Sequence, residues 1–336
     1  MIPYSLRTLR ISDWLNIALI LFGRHRPLIL FHKPTDLCDC KCRFCDNWVR
    51  RKDTKRNPTA EDIRSVLKEA RGAGFIAYSL WGGEPLLVDA VADYLKQASD
   101  LGMETTMCTS GLHLAERAKE IGPHLDKLLI SVEAVGERHD HIRGVLGLFG
   151  RIVTGLETFR NHGRGNVVLW SNLSRENMDQ VENIAAFSGE MGVSVEFFPA
   201  SLYPAYNENI ILGPTERAEV FHRLIALKRR GFPVGNSSRS LHLMASGHPF
   251  TCNIPRLSVQ LLPDGSLYPC EPRVFEEIPP YGTMYDTPIS QLARSKVFSK
   301  KTAELKMCNR CLVPCVAGLS GYLPQRALEK LFRSFL

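Results

Sequence analysis

The sequence predicts an α/β protein. Its main body is a partial (β/α)6 barrel over residues 27–235, preceded by an amphipathic helical extension over 1–26 and followed by a small β-hairpin-plus-helix domain over 236–336. Three observations predict this. Short apolar runs alternate with longer amphipathic stretches through residue 235, and strict strand–helix alternation implies a parallel sheet. Helical periodicity gives way after about residue 236. An Asp264-Gly265 pair then stands between two short apolar runs, which is a strong hairpin signal.

Taken in order, residues 27–32 read as the first strand and lead into a cysteine-rich loop. Thr59, followed three residues later by Asp62, has the form of a capping box, and Ile63, Val66, Leu67 and Ala70 then recur at helical spacing. The run 75–80 is the second strand and ends at Gly82-Gly83, where the absence of a β-carbon permits close approach of another group. Further strands are expected at 104–109, 127–133, 167–173 and 193–198, with helices near 89–101, 113–121, 148–162 and 177–191. In parallel β/α units the working residues sit on loops at the C-terminal ends of strands. The cysteine loop, the glycine pair, Thr109-Ser110-Gly111, and Ser131 with Glu133 all fall at such ends. Asn172 and Asn177 read either as polar groups near a bound cofactor or as caps, the usual role of asparagine at a strand end or helix start.

A chain of 336 residues with 44% hydrophobic content can bury one large core and a smaller appendage. Eight of its ten cysteines are clustered, at Cys38, Cys42 and Cys45 and again at Cys252, Cys270, Cys308, Cys311 and Cys315. Clustered thiols in a long chain without a cleavable signal pattern suit a reducing, cytoplasmic compartment. The net charge of +7 is partly concentrated in Arg50-Arg51-Lys52 and Lys55-Arg56, which reads as a solvated loop or as a docking point for an anionic substrate or an acidic electron donor. Residues 17–22 are apolar but too few to span a bilayer before Arg24, His25 and Arg26. Leu328, Leu331, Phe332 and Phe335 lie at helical spacing among Arg326, Lys330 and Arg333. Such a helix either packs on the barrel or makes peripheral contact with an anionic membrane. No H-E-x-x-H, G-x-S-x-G or phosphate-binding glycine loop is present, and no nucleic acid partner is expected.

The chemistry lies in the thiols. An iron–sulfur cluster held by three cysteines leaves one iron without a protein ligand, whereas an electron-carrying cluster is normally closed by four. Cys38-x3-Cys42-x2-Cys45, with aromatic Phe44 before the last cysteine, resembles the signature of the radical S-adenosylmethionine superfamily. The resemblance implies a 4Fe-4S cluster whose open iron binds S-adenosylmethionine and reduces it, giving methionine and a 5′-deoxyadenosyl radical; the cofactor does the hard step and the protein aims it. Cys40 lies off the register of this motif and reads as a non-ligand able to capture iron in a mutant. Two thiolates two residues apart are also a zinc half-site. Trp81-Gly82-Gly83-Glu84-Pro85 resembles the family's GGEP motif, which implies that Gly82, Gly83, Glu84 and Pro85 hold the amino end of the cofactor. Ile130-Ser131-Val132-Glu133, with His139-Asp140 and Ile142-Arg143-Gly144 downstream, is similar to the family's S-x-D stretch and H-D-x-x-R-G. Ser131 and Glu133 would then contact the cofactor's ribose or methionine part, with glutamate reaching one methylene further than the usual aspartate.

Cys252-x12-Gly265-x4-Cys270 resembles the auxiliary-cluster domain called SPASM, or its one-cluster form called twitch. The two-cluster form uses seven cysteines and five occur here, so the resemblance implies one auxiliary 4Fe-4S cluster on Cys252, Cys270, Cys308 and Cys311, with Cys315 as a replacement or a spare. The same thiolates also suit tetrahedral zinc. The expectation is an enzyme that abstracts hydrogen from a small-molecule or lipid-type substrate, served by a reductant such as flavodoxin or ferredoxin. A peptide or protein maturase of the same superfamily is the second reading, and a non-catalytic iron–sulfur or zinc binding protein the third. Tyr203, Tyr206 and Cys108 are candidates for proton transfer, although Cys108, in an apolar strand, also reads as a core residue.

Overall fold

Strand β1 (Ile29–His32) pairs in parallel on both sides, with β2 (Ala77–Leu80) on one edge and β7 (Ser258–Leu261) on the other. From β2 the sheet continues in parallel through β3 (Glu104–Thr109), β4 (Lys127–Ser131), β5 (Asn166–Leu173) and β6 (Ser194–Pro199). From β7 it turns antiparallel into β8 (Ser266–Tyr268) and β9 (Gly282–Thr283), giving the order 6-5-4-3-2-1-7-8-9. The computed structural model describes residues 27–50, 58–203, 206–247, 252–270, 278–305, 308 and 312. The expected N-terminal extension, the basic run from 51 to 56, Cys311, Cys315 and the C-terminal amphipathic helix lie outside the described residues. Among the described residues no helix is long and apolar enough to cross a membrane.

Alternation along each strand separates two environments. Leu30, Tyr78, Leu80, Met107, Leu128, Ile130, Leu169, Val195 and Phe197 are fully buried beneath the helices. Those helices are α1 (Ala60–Ala73), α2 (Val91–Asp100), α3 (Leu114–Ile121), α4 (Glu137–Arg143), α5 (Leu148–His162) and α6 (Val181–Glu190). Each of them points apolar residues at the sheet, such as Ile63 and Leu67, Val91 and Leu95, or Ile152 and Leu156. Residues facing the other way, Phe31, Ser79, Thr106, Cys108, Trp170, Asn172 and Glu196, are only half-buried. A closed eight-stranded barrel fills its interior with side chains. Here the lumen stays open.

Two devices close what the curl leaves bare. Asn236 accepts the backbone N–H of Phe197 (2.8 Å) and donates to its carbonyl (3.0 Å), and Val234 bridges Val195, so the outer edge of β6 is covered. Helices α7 (Pro214–Arg229) and α8 (Ser238–Ser246) flank this covering segment. Helix α8, with Ser237 as N-cap and Gly247 left-handed at its end, carries helical structure past residue 236, where the sequence suggested it would stop. The Asp264-Gly265 turn forms as expected, with Gly265 at φ 82° and Leu262 N–H bonding Ser266 O at 3.0 Å. Beyond it, α9 (Lys296–Leu305) packs back on the segment before β7 through Thr302 Oγ1, which donates to Pro255 O at 3.1 Å.

The capping box that opens α1 is complete: Thr59 Oγ1 accepts the Asp62 N–H (3.1 Å) and Asp62 Oδ2 accepts the Thr59 N–H (2.8 Å). Replacing Thr59→Ala is expected to lower stability by about 1 kcal/mol, measured by denaturant unfolding monitored through circular dichroism.

Candidate active site

The loop between β1 and a short helical turn at Asn47–Arg50 carries the first cysteines, and backbone hydrogen bonds from three directions hold it. Glu84 N–H donates to Leu37 O at 2.8 Å, Lys41 N–H to Arg143 O at 3.0 Å, and Arg43 N–H to Ile142 O at 3.0 Å. From the segment after β6, Asn207 Nδ2 donates to Phe44 O at 2.9 Å and Tyr206 Oη to Cys42 O at 3.1 Å. Tyr206 therefore braces the loop backbone. Lys33 Nζ, nearly buried, bonds Asn47 Oδ1 (2.7 Å) and pairs with Asp36, which joins the loop's beginning to its end. On its outer side Asp39 meets His113 Nε2 at 2.8 Å.

The glycine pair is required by this loop. A β-carbon on Gly83 would stand 2.4 Å from Thr35 O and 2.6 Å from Leu37 O, and one on Gly82 would strike the Lys33 stem at 2.8 Å. Both glycines are also left-handed, at φ 70° and 56°. Gly144, at φ 67°, plays the same part on the opposite side, where a β-carbon would lie 3.0 Å from Lys41 O. Glu84 is buried, and its carboxylate accepts from Leu86 N–H (3.0 Å), Thr109 Oγ1 (2.8 Å) and Ser110 N–H (2.7 Å). It ties the turn after β2 to the turn after β3. Burial pushes its pKa up while these three donors pull it down.

Within the loop the thiol of Cys40 meets those of both Cys38 and Cys42. Cys40 is 1% exposed, and its thiol is hydrogen-bonded to those of Cys38 and Cys42 and to Ser110. Those bonds, led by Cys38, lower the Cys40 pKa, and the same contact raises Cys38 and Cys42, so the negative charge settles between them. The counter-charge is Arg143, at the end of α4. Burial alone would lower its pKa, but the thiols and Glu133 more than offset this and keep it cationic. Its guanidinium also lies 5.9 Å from the centre of the Phe44 ring. Soft sulfur donors converging beside a fixed cation fit an anionic iron–sulfur cluster.

Ser131 and Glu133 stand at the end of β4. Ser131 Oγ is 4.0 Å from the thiol of Cys108, which faces the lumen and whose pKa is pushed up to about 12 by burial. The carboxylate of Glu133 is fully buried, 3.5 Å from Arg143 Nη1 and 3.7 Å from His139 Nδ1, with Asn172 hydrogen-bonded to it. His139 Nδ1 accepts the Glu133 N–H at 3.1 Å, and burial lowers the ring's pKa to about 3, so it is neutral. Asn177 caps the turn after β5 through Ser174 N–H (2.8 Å) and braces Glu133 O (2.9 Å). The sequence reading quoted Arg143 only as part of a motif; its burial beside three cysteines is what singles it out.

At the other end of β7, Cys252 is buried, Cys270 lies just beyond β8, and Cys308 follows α9. The Thr302–Pro255 bond draws the α9 segment toward the one holding Cys252.

Residues 33–188 match the family model described as the Radical SAM superfamily. That segment, just under half of the chain, is similar to a radical SAM domain. It is 26% identical over 185 residues to the pre-heme d1 synthase of Dinoroseobacter shibae, covering 54% of this chain and 45% of that protein. It is 22% identical over 240 residues to the Fe-coproporphyrin III synthase of Methanosarcina barkeri, covering 68% of this chain and 59% of that protein. The chain thus spans about half the length of the curated relatives it matches. Among solved structures, Streptococcus suis SuiB bound to S-adenosylmethionine superposes with a TM-score of 0.68 at 15% identity, covering 94% of this chain and 82% of that one. Native anSMEcpe with bound AdoMet superposes with a TM-score of 0.65 at 17% identity, covering 92% and 96%. At these identities the likeness shows the fold: the α/β radical SAM architecture.

Two outcomes follow from the loop. Gly83→Ala is expected to cost about 1–3 kcal/mol from its backbone conformation alone, with more from the overlap at Thr35 O, read as a lower thermal midpoint and reduced iron content after reconstitution. Cys38→Ser is expected to keep more than half of its iron because Cys40 stands beside it, whereas Cys38→Ser/Cys40→Ser loses the cluster, as scored by iron assay and visible absorption.

Proposed function

We propose that this protein is a radical SAM enzyme acting on a small-molecule substrate held in the open lumen of its barrel, and the observation that carries this is the half-buried inner face of β1–β6 beneath a buried thiol site. In this reading Cys38, Cys42 and Cys45 hold the cluster, with the Phe44 ring beside Arg143. The backbone of Gly82, Gly83 and Pro85 lines the cofactor's berth, Glu84 keeps that turn in place, and Ser131 and Glu133 border it from β4. When bound there, the cluster and S-adenosylmethionine would supply the chemistry of hydrogen-atom abstraction through a 5′-deoxyadenosyl radical. Cys252, Cys270, Cys308 and Cys311, with Cys315 in reserve, hold an auxiliary 4Fe-4S cluster that assists electron transfer or substrate binding. A low-potential donor of the flavodoxin or ferredoxin type serves as reductant.

Topology supports placing the substrate between the two thiol groups. The first group follows the C-terminal end of β1, while Cys252 precedes β7 and Cys270 follows β8 level with the N-terminal ends of β1 and β7. The lumen residues lie between these levels. The names of both curated relatives refer to small molecules, a heme and a coproporphyrin, which favours that class over a peptide.

Anaerobic reconstitution with iron and sulfide, followed by dithionite and S-adenosylmethionine, is expected to yield 5′-deoxyadenosine from the wild type and none from Cys42→Ala, detected by mass spectrometry. Iron content of about eight per chain is expected for two 4Fe-4S clusters; about four would remove the auxiliary cluster from the proposal. Absence of 5′-deoxyadenosine from fully loaded protein, with and without candidate substrates, would point instead to a non-catalytic iron–sulfur protein.

A further inference from the structure

Inside the lumen stands a carboxylate held by an indole and by no ion pair among the described residues. Val195 and Phe197 of β6 are fully buried against the helices, and Glu196, between them, faces the lumen half-buried. Its stem runs beside Gly235, where a β-carbon would stand 3.0 Å from Glu196 Cγ. Trp170 Nε1 donates to Glu196 Oε2 at 3.2 Å, and the Trp170 ring meets Phe198 edge-on at 5.4 Å. Among the described residues Glu196 forms no ion pair. Lys228, the cation that senses its charge, instead gives its ammonium to Val234 O at 2.6 Å, in the segment covering the outer edge of β6.

Register places this group relative to the cofactor berth. Ser131 is paired with Trp170 across β4 and β5, and Trp170 with Glu196 across β5 and β6. All three share one face in one row, so Glu196 stands two strand spacings, about 10 Å, from Ser131. That separation leaves room for a small molecule whose reacting carbon faces the cofactor while a second group reaches β6. A fixed, half-desolvated carboxylate with an aromatic wall is complementary to a cation, because charge-assisted hydrogen bonds strengthen as water is excluded.

We infer that Glu196, backed by Trp170 and Phe198, is the substrate subsite for a cationic group, an ammonium or a guanidinium. The inference rests on the small-molecule reading above and narrows it to cationic substrates. One indole bond satisfies part of the carboxylate's accepting capacity and none of its charge.

The test uses the full-length reconstituted protein and two probes of equal shape, benzylamine and benzyl alcohol, titrated by calorimetry. Wild type is expected to bind the amine at least about tenfold more tightly, in line with the extra strength of a hydrogen bond to a charged group, and Glu196→Gln is expected to abolish the preference. Should Glu196→Gln lose its cooperative thermal transition, Glu196→Asp carries the comparison, with a reduced preference expected. Equal binding of the two probes, binding of neither, or a preference that survives Glu196→Gln would overturn the subsite. Loss of the amine preference in a wild type that still forms 5′-deoxyadenosine would sink this inference alone, whereas failure to form 5′-deoxyadenosine despite amine binding would sink the enzymatic reading instead.

Discussion

The architecture depends on keeping several thiols and one guanidinium together out of water. Unpaired charge in such a place costs several kcal/mol, so the cysteine loop and Arg143 can be buried only as a unit. Helix α4 delivers that unit. Its last residues give their carbonyls to Lys41 and Arg43 while Arg143 turns its side chain under the loop, and Gly144 ends the helix left-handed where any side chain would strike Lys41. Glu133 then holds the far side of the guanidinium, 3.5 Å away and fully buried. Cluster loop, helix end and strand end form one electrostatic assembly, which explains why residues a hundred positions apart belong to one site.

In the proposed reading the glycine pair and Glu84 act first on protein and then on cofactor. The missing β-carbon of Gly83 admits the carbonyls of Thr35 and Leu37, and Glu84 spends its accepting capacity on Leu86, Thr109 and Ser110. The turn after β2 is thereby set between the cysteine loop and the turn after β3. A cofactor arriving there meets backbone groups that have already lost their conformational freedom, so binding has less entropy to overcome.

Much of this was legible in the sequence because it is local. The Thr59–Asp62 box, the strand over 104–109 and the helix over 148–162 were foreseen and stand where periodicity put them. Strand starts were less legible: β1 and β2 begin two residues later than expected, because Leu28 and Ile76 are buried before the ladder begins. The helix expected over 177–191 starts at Val181, since the Asn177 side chain holds residues 174–177 as a turn. Helix α4 was read as a motif and not as a helix, for its seven residues are too few to show a period. The parallel pairing of β7 with β1 was beyond reach, because it joins segments more than two hundred residues apart and no local pattern encodes it. The spacing of Cys38, Cys42 and Cys45 is plain in the sequence. The role of Cys40, off register yet touching two of the three, is not.

The pairing of β7 with β1 has the largest functional consequence. By adding a strand on the side of β1 away from β2, the chain sets the hairpin beside the strand that feeds the first cysteine loop, with Leu261 O accepting the Lys33 N–H at 2.8 Å. The same strand runs back to Cys252 at its other end. One four-residue strand, about 13 Å long, thus separates two groups of thiols, and the half-buried lumen wall lies alongside it. An inner face filled with leucine and valine would have made this interval a core. Ser79, Thr106, Cys108, Ser131, Trp170 and Glu196 make this face polar instead, and a molecule bound against it would exclude the water that otherwise screens the charges there. Helix-side packing stabilises the barrel without using that face, so the lumen side of each strand is free to carry chemistry.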